Sequence, residues 1–357
     1  MIINRPPVTY SSIVKIGEDI NELEKNSGDK YLKLHRGIMD VTTIDLNAIV
    51  GDFDFNLKSL QHYGPNNGDA DLIKTIKTKF HLNDHHILIT PGGMAALDLT
   101  INSIFNINFK VPRYHWGSWN KILKVHNKEI TSFNDFDLKN AHLQEDDVYM
   151  LCVPSNPTGW APKLGDLKEF IERAQKSNVT VILDLPYYYL FNHEDDKIYE
   201  LFYDNVIIVS SFSKSLGLPG FRVGYVATKN QNLFDAMKIR SLYKYNSISN
   251  LPQSVVEEVL NIGFRFVRKY KEKTVNDIQQ NIDYLEKRGF LFEEYPSKPV
   301  GPFCIINLDY DTLLKHKISS VPLNKFSLDK DVSVKYSRIS VAVNHNDFIK
   351  YFDEILN

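Results

Sequence analysis

Lys214 lies in the run from Ser210 to Gly224, among Ser211, Ser213, Ser215, Gly217 and Gly220, with Arg222 eight residues further on. The apolar stretch Val206–Val209 leads into it. A lysine at the end of a buried strand is costly to keep charged, so burial lowers its pKa. The neutral amine is a nucleophile that can form a Schiff base with an aldehyde cofactor such as pyridoxal phosphate (PLP). Serines and an arginine are the groups one would place around that cofactor's phosphate. The same string also reads as a polar loop with a solvated lysine, so the rest of the chain has to supply further parts.

Four short apolar runs mark the middle of the chain: His86–Thr90, Val148–Val153, Val179–Leu183 and Val206–Val209. Polar-faced stretches with helical spacing, such as Leu164–Lys176, lie between them. This alternation predicts an α/β fold with a mostly parallel sheet covered on both faces. Ligands of such folds bind at the carboxyl ends of the strands. Each of the four runs leads into a segment with Pro, Gly, Asp or Ser. From about Ser254 to Lys287 the pattern becomes long and helical, with Val256, Val259, Leu260, Phe264 and Val267 on one stripe. The runs Pro302–Leu308 and Arg338–Val343 then predict strands of a smaller α+β domain, joined by the extreme N-terminus. The expected division is a large domain over 38–265 and a small one made of 1–37 and 266–357.

The turns after these runs hold the remaining candidates. Thr90 is followed by Pro91-Gly92-Gly93-Met94 and a helical stretch. Free N–H groups and a positive dipole end at that helix start suit a phosphate, although Gly-Gly is also an ordinary tight turn. The string is neither a GxGxxG nor a GK[ST] loop. Val153 leads into Asn156-Pro157-Thr158-Gly159, which is good turn chemistry in its own right. Leu183 continues as Asp184-Leu185-Pro186-Tyr187. A carboxylate at a buried strand end needs a cationic partner, and a protonated pyridine nitrogen is one; otherwise Asp184 is solvated.

In this order the parts resemble the class I and II aminotransferases, fold-type I PLP-dependent enzymes, over roughly Leu32 to Val343. The resemblance implies a large domain with a mostly parallel seven-stranded sheet and a smaller α+β domain. It makes Lys214 the Schiff-base lysine and surrounds the cofactor phosphate with the Gly93 and Met94 amides, Ser211, Ser213 and Arg222. Asp184 pairs with the ring nitrogen, while Asn156 and Tyr187 contact the 3′-oxygen. Tyr114, in Val111-Pro112-Arg113-Tyr114-His115-Trp116, is the expected stacking ring, with Trp116 as the alternative. Arg338 resembles the arginine that clamps the substrate carboxylate, and Gly37 and Asn156 are further substrate contacts. Tyr63 resembles a tyrosine that reaches the phosphate of a neighbouring subunit, which implies a homodimer with shared sites. One departure is Leu185, where the family commonly has glutamate.

The 357 residues exceed what one compact core usually holds. A composition of 43% hydrophobic and 24% charged residues is ordinary for a globular chain, and a net charge of -2 makes no case for nucleic-acid binding. The mixed run Arg268–Lys273 reads as a solvated helix face. Cys152 and Cys304 lie in separate apolar runs, as buried free thiols would, and CxxC metal spacing is absent. The segment Met1–Pro7 lacks the apolar core of a signal peptide. No stretch approaches the ~18 uncharged apolar residues of a membrane span. A cytoplasmic, metal-free protein is expected.

The resemblance therefore implies a PLP-dependent aminotransferase acting on amino acids and 2-keto acids. Its carboxylate-bearing substrate would bind Arg338, Lys214 would move the Cα proton, and a second keto acid would complete a ping-pong cycle. The same machinery serves PLP-dependent lyases and decarboxylases, so these remain the alternative. The histidinol-phosphate branch ranks lower, because its N-terminal Asn-Glu-Asn-Pro is missing. A regulator or inactive remnant ranks lowest: no added DNA-binding domain fits before Leu32, and Lys214 and Asp184 are both present.

Overall fold

A computed structural model describes residues 7–51, 59–105, 108–191, 197–261 and 264–355. The stretch read for a signal peptide lies outside them apart from Pro7, as does the Phe264 side chain. Among the described residues there are twelve strands: β1 Leu32–Lys33, β2 His86–Thr90, β3 Asn108–Pro112, β4 Glu129–Phe133, β5 Val148–Cys152, β6 Thr180–Asp184, β7 Val206–Ser211, β8 Gly224–Thr228, β9 Phe303–Ile306, β10 Ile318–Ser319, β11 Val321–Pro322 and β12 Ser337–Ser340.

Seven of them form one sheet in the order β2-β8-β7-β6-β5-β3-β4. β8 runs antiparallel to both neighbours, and the other pairings are parallel. Every residue of β5, β7 and β8 is buried, which is why these strands read as unbroken apolar runs. The edge strand β4 instead alternates exposed and half-buried residues. The helices Gly93–Ser103, Leu164–Lys176 and Gln231–Tyr245 pack on the sheet. This is the α/β architecture that the alternation predicts.

A second, three-stranded antiparallel sheet has the order β11-β12-β9. Next to it, β1 pairs in parallel with β10, Leu32 opposite Ile318. Backbone bonds then carry the N-terminal segment across to β12, Ser340 N–H donating to Leu34 and Asp40 N–H to Ala342. The helix Phe264–Lys287 links the two regions. Its inward face carries Tyr270, Thr274, Asp277, Ile278, Asn281, Ile282 and Leu285, all buried at helical spacing. Tyr270 is only 2% exposed, so the run Arg268–Lys273 is not a purely solvated face. The charges around it occupy the other sides of the helix.

Cys152 and Cys304 are buried free thiols. Among the described residues, no group of His, Cys, Asp and Glu could hold a metal, and no helix is long and apolar enough to cross a membrane.

Candidate active site

β5, β6 and β7 are adjacent and parallel, with Cys152 opposite Asp184 and Asp184 opposite Val209. Their carboxyl ends therefore share one edge of the sheet, and Asn156, Asp184 and Lys214 leave from it. Asp184 is buried without an ion-pair partner among the described residues. Burial pushes its pKa up to about 7, with the Trp119 indole acting in the opposite direction. The Tyr187 ring meets the Phe303 ring edge-on at 5.5 Å. Burial raises its hydroxyl pKa far above the usual value, Cys152 and Asp184 add to the rise, and Arg338 and Asn156 oppose it. Those five side chains thus share one enclosed site. The Asn156 side-chain oxygen is buried with no partner.

Lys214 sits on the one-turn helix Phe212–Ser215, directly after β7. Its amine donates to the carbonyl of Gly37. Burial, and after it the positive charges of Arg222 and Arg338, lowers its pKa to about 8. A cation-rich, enclosed lysine is more nucleophilic near neutral pH than a surface one.

A second cluster lies where β2 runs into the helix Gly93–Ser103. Gly92 caps this helix without any side-chain hydrogen bond, so its first amides, those of Gly93 and Met94 included, point outward as donors. Gly92 has φ 83°, and a Cβ there would come 2.3 Å from Nη2 of Arg222. The guanidinium thus lies directly on the turn, and only glycine leaves it room. Arg222 Nη1 also donates to Pro219 O at 3.0 Å and approaches Ser213 Oγ at 3.4 Å. The Ser211 hydroxyl lies 3.6 Å from the position of a Gly93 Cβ. Five of the phosphate candidates, Gly93, Met94, Ser211, Ser213 and Arg222, therefore gather at one helix N-terminus, the favoured place for an anion.

Arg338 comes from β12, in the other sheet, and is 1% exposed. Its guanidinium carbon lies 4.8 Å from the Phe303 ring centre and 4.9 Å from that of Phe326. Nε and Nη1 have no partner, and burial lowers its pKa to about 10. Gly37 approaches the same wall: a Cβ there would meet the Phe303 ring at 3.2 Å and the Tyr187 hydroxyl at 4.0 Å. The arrangement can hold a phosphate at one end, a ring beside Asp184 in the middle, and a carboxylate at Arg338.

Two candidates stand apart. Tyr114 is packed edge-on against Phe292 at 5.8 Å, in a core cluster with Ile305, Val321 and Phe326. The bend after β3, where Arg113 N–H donates to Phe133 O and His115 N–H to Phe326 O, carries it there. Tyr114, the expected stacking ring, thus packs as a core residue, and Trp116, the alternative, is half-buried against the main core at the start of the helix Gly117–Val125. Tyr63 is 84% exposed and touches none of the cluster within this chain. Reading the sequence missed Phe303, Phe326 and Trp119. Phe303 opens an apolar run and Trp119 follows Trp116 by three residues, yet neither pattern marks a residue beside a site.

The chain matches the family described as aminotransferase class I and II over residues 54–347. It is 23% identical over 330 residues to a histidinol-phosphate aminotransferase of Sulfurovum sp., covering 84% of each chain. A histidinol-phosphate aminotransferase 2 of Oceanobacillus iheyensis is 27% identical over 252 residues, covering 67% of this chain and 66% of that one. Among solved structures, an aminotransferase from Mycobacterium tuberculosis superposes with a TM-score of 0.84 at 16% identity, over 99% of this chain and 98% of that one. Aspartate aminotransferase from Thermus thermophilus with maleate gives 0.81 at 18% identity, over 97% of both chains.

Proposed function

The chain belongs to the class I and II aminotransferases, enzymes that move an amino group between an amino acid and a 2-keto acid, and we propose that it does so with pyridoxal 5′-phosphate bound at Lys214. The donor set fits that cofactor. The uncapped helix start at Gly93 and Met94, with Ser211, Ser213 and Arg222, offers donors for a phosphate. Asp184 is a buried carboxylate lacking a cation, as a partner of a pyridinium nitrogen should be. Asn156 and Tyr187 offer hydrogen bonds to a ring oxygen, and the half-buried Trp116 offers a stacking face. When bound, PLP would supply an electron sink for the charge left at the substrate's Cα.

The chain's own residues would do the rest. Arg338 would hold the substrate carboxylate through its unpartnered Nε and Nη1 groups. Burial between two phenylalanines strengthens that contact by excluding water. Lys214, neutral above about pH 8, would take the proton from Cα and return one further along the cycle. Gly37 closes the substrate side through its carbonyl and its contact with Phe303. In a homodimer, the exposed Tyr63 could reach the phosphate of the other subunit. A cytoplasmic setting suits this chemistry. The observation that carries the reading is the meeting of Lys214, Asp184, Tyr187 and Arg338, from three separated segments, in one enclosed site.

Borohydride reduction of the PLP-loaded protein followed by peptide mapping tests it. The expected label is on Lys214; a label on another lysine, or none, overturns the assignment. An amino-donor panel that includes histidinol phosphate, because of the relatives' names, would identify the substrate. Release of ammonia or carbon dioxide without a keto-acid acceptor would favour the lyase or decarboxylase alternative.

A further inference from the structure

We propose that Tyr270 is a positioning residue for Lys214, acting through a hydroxyl that holds the lysine's own main-chain carbonyl; this rests on Lys214 being the cofactor lysine. The Tyr270 hydroxyl donates to Lys214 O at 3.0 Å. Its ring is packed against the same turn: Gly217 has φ 65°, and a Cβ there would come 2.9 Å from the ring. The glycine three residues after the lysine therefore makes room for this tyrosine.

The contact matters because of where Lys214 sits. Its helix, Phe212–Ser215, has one turn. A helix that short has no cooperative stability of its own, so its position must come from tertiary contacts. Within the turn, Gly217 N–H reaches Lys214 O at 3.3 Å. Tyr270 adds a contact from outside the turn, and it comes from the longest helix of the chain, Phe264–Lys287.

That helix also grips the arginine end. Asn281, three turns further along, donates to Val341 O at 2.9 Å and Val343 O at 3.0 Å, just past the strand carrying Arg338. The Asn281 side-chain oxygen is in turn bonded to His345 Nδ1 at 2.8 Å. One helix thus holds the carbonyl of Lys214 and the main chain three and five residues after Arg338, from points about 16 Å apart along its own axis.

Tyr270→Phe keeps the ring against Gly217 and removes only the hydroxyl. The pH dependence of Lys214 methylation in PLP-free protein, read by peptide mass mapping, reports the lysine directly. The expected result is a midpoint raised by about one unit, as the loosened amine regains water. With PLP, kcat should fall about tenfold at unchanged KM for the amino donor, the mark of a misplaced base rather than a lost binding contact. An unchanged methylation midpoint and unchanged kcat, with only the melting temperature lowered, would make Tyr270 a core residue and overturn the proposal. Lys214→Ala separates the two readings: if it still transaminates, the assignment of Lys214 fails whatever Tyr270 does.

Discussion

Asn156, Asp184 and Lys214 stand at or within four residues of the ends of adjacent strands in one sheet, whereas Gly37 and Arg338 come from opposite ends of the chain and meet through the pairing of β1 with β10 and the backbone bond from Ser340 to Leu34. Both ends leave buried polar atoms without partners, although the sheet edge also bonds several of its own. At the sheet edge, Arg222 bonds Pro219, Lys214 bonds Gly37, and Ser215 bonds Ser211. At the other end the Arg338 guanidinium Nε and Nη1 are buried without partners, as is the Asn156 side-chain oxygen at the sheet edge. Buried polar groups are normally bonded, so a concentration of unbonded ones marks a place for a ligand. On the proposed function, the sheet edge would hold the resident cofactor and the arginine end the substrate carboxylate.

The strongest test of that contrast is Asp184→Asn. It keeps the shape of the sheet edge and removes the negative charge meant for the ring. We expect kcat to fall about a thousandfold, the size of losing one well-placed electrostatic contact, with the KM for the amino donor little changed. A pH signature should accompany it. Burial raises the Asp184 pKa from 3.8 to about 7, so the PLP-free native state binds a proton that the unfolded state releases. The resulting stability is present below pH 3.8 and is lost as pH rises through about 7. Asp184→Asn should abolish that part of the pH dependence in thermal melts of the PLP-free protein. A variant with full kcat would break the contrast at once.

Arg338→Met tests the other end and should act on binding. We expect the KM for the amino donor to rise about a hundredfold, with the PLP absorbance unaltered. Arg338→Lys should restore little, because a point charge cannot make the two parallel bonds that a carboxylate accepts. Stability should move the other way. An unpaired buried cation is costly even with two aromatic faces beside it, and an apolar side chain of similar length removes that cost. The ligand-free melting temperature should therefore rise by about 3 °C. A drop would mean that the guanidinium is a structural bond in its own right.

The same contrast explains what could be read from the sequence. The sheet edge was legible because its residues follow strands at fixed distances: Asn156 after Val148–Val153, Asp184 after Val179–Leu183, and Lys214 after Val206–Val209. Burial on both faces wrote those strands as apolar runs. The wall of the arginine end was not legible, because Phe303 and Phe326 belong to segments whose apolar patterns describe packing alone. Tyr270 was hidden for a different reason. Its neighbours Arg268, Lys269, Lys271, Glu272 and Lys273 dominate the local composition, although the helical period from Tyr270 to Leu285 puts it on the inner face.

Tyr114 and Trp116 offer the finest test, since both are aromatics two residues apart after β3 and the choice between them depends on side-chain direction. The bend at Arg113 and Tyr114 sends Tyr114 into the cluster with Phe292 and Ile305, where burial raises its hydroxyl pKa to about 12. Trp116 is left half-buried at a helix start beside the main core. If Trp116 stacks on the cofactor ring, Trp116→Ala should weaken PLP binding about tenfold, the upper range for one aromatic pair, as read from an absorbance titration. Tyr114→Phe, which keeps the ring in its cluster, should leave that titration unchanged. The reverse outcome would return Tyr114 to the cofactor, and would mean that its packing against Phe292 is exchanged for the ring when PLP binds.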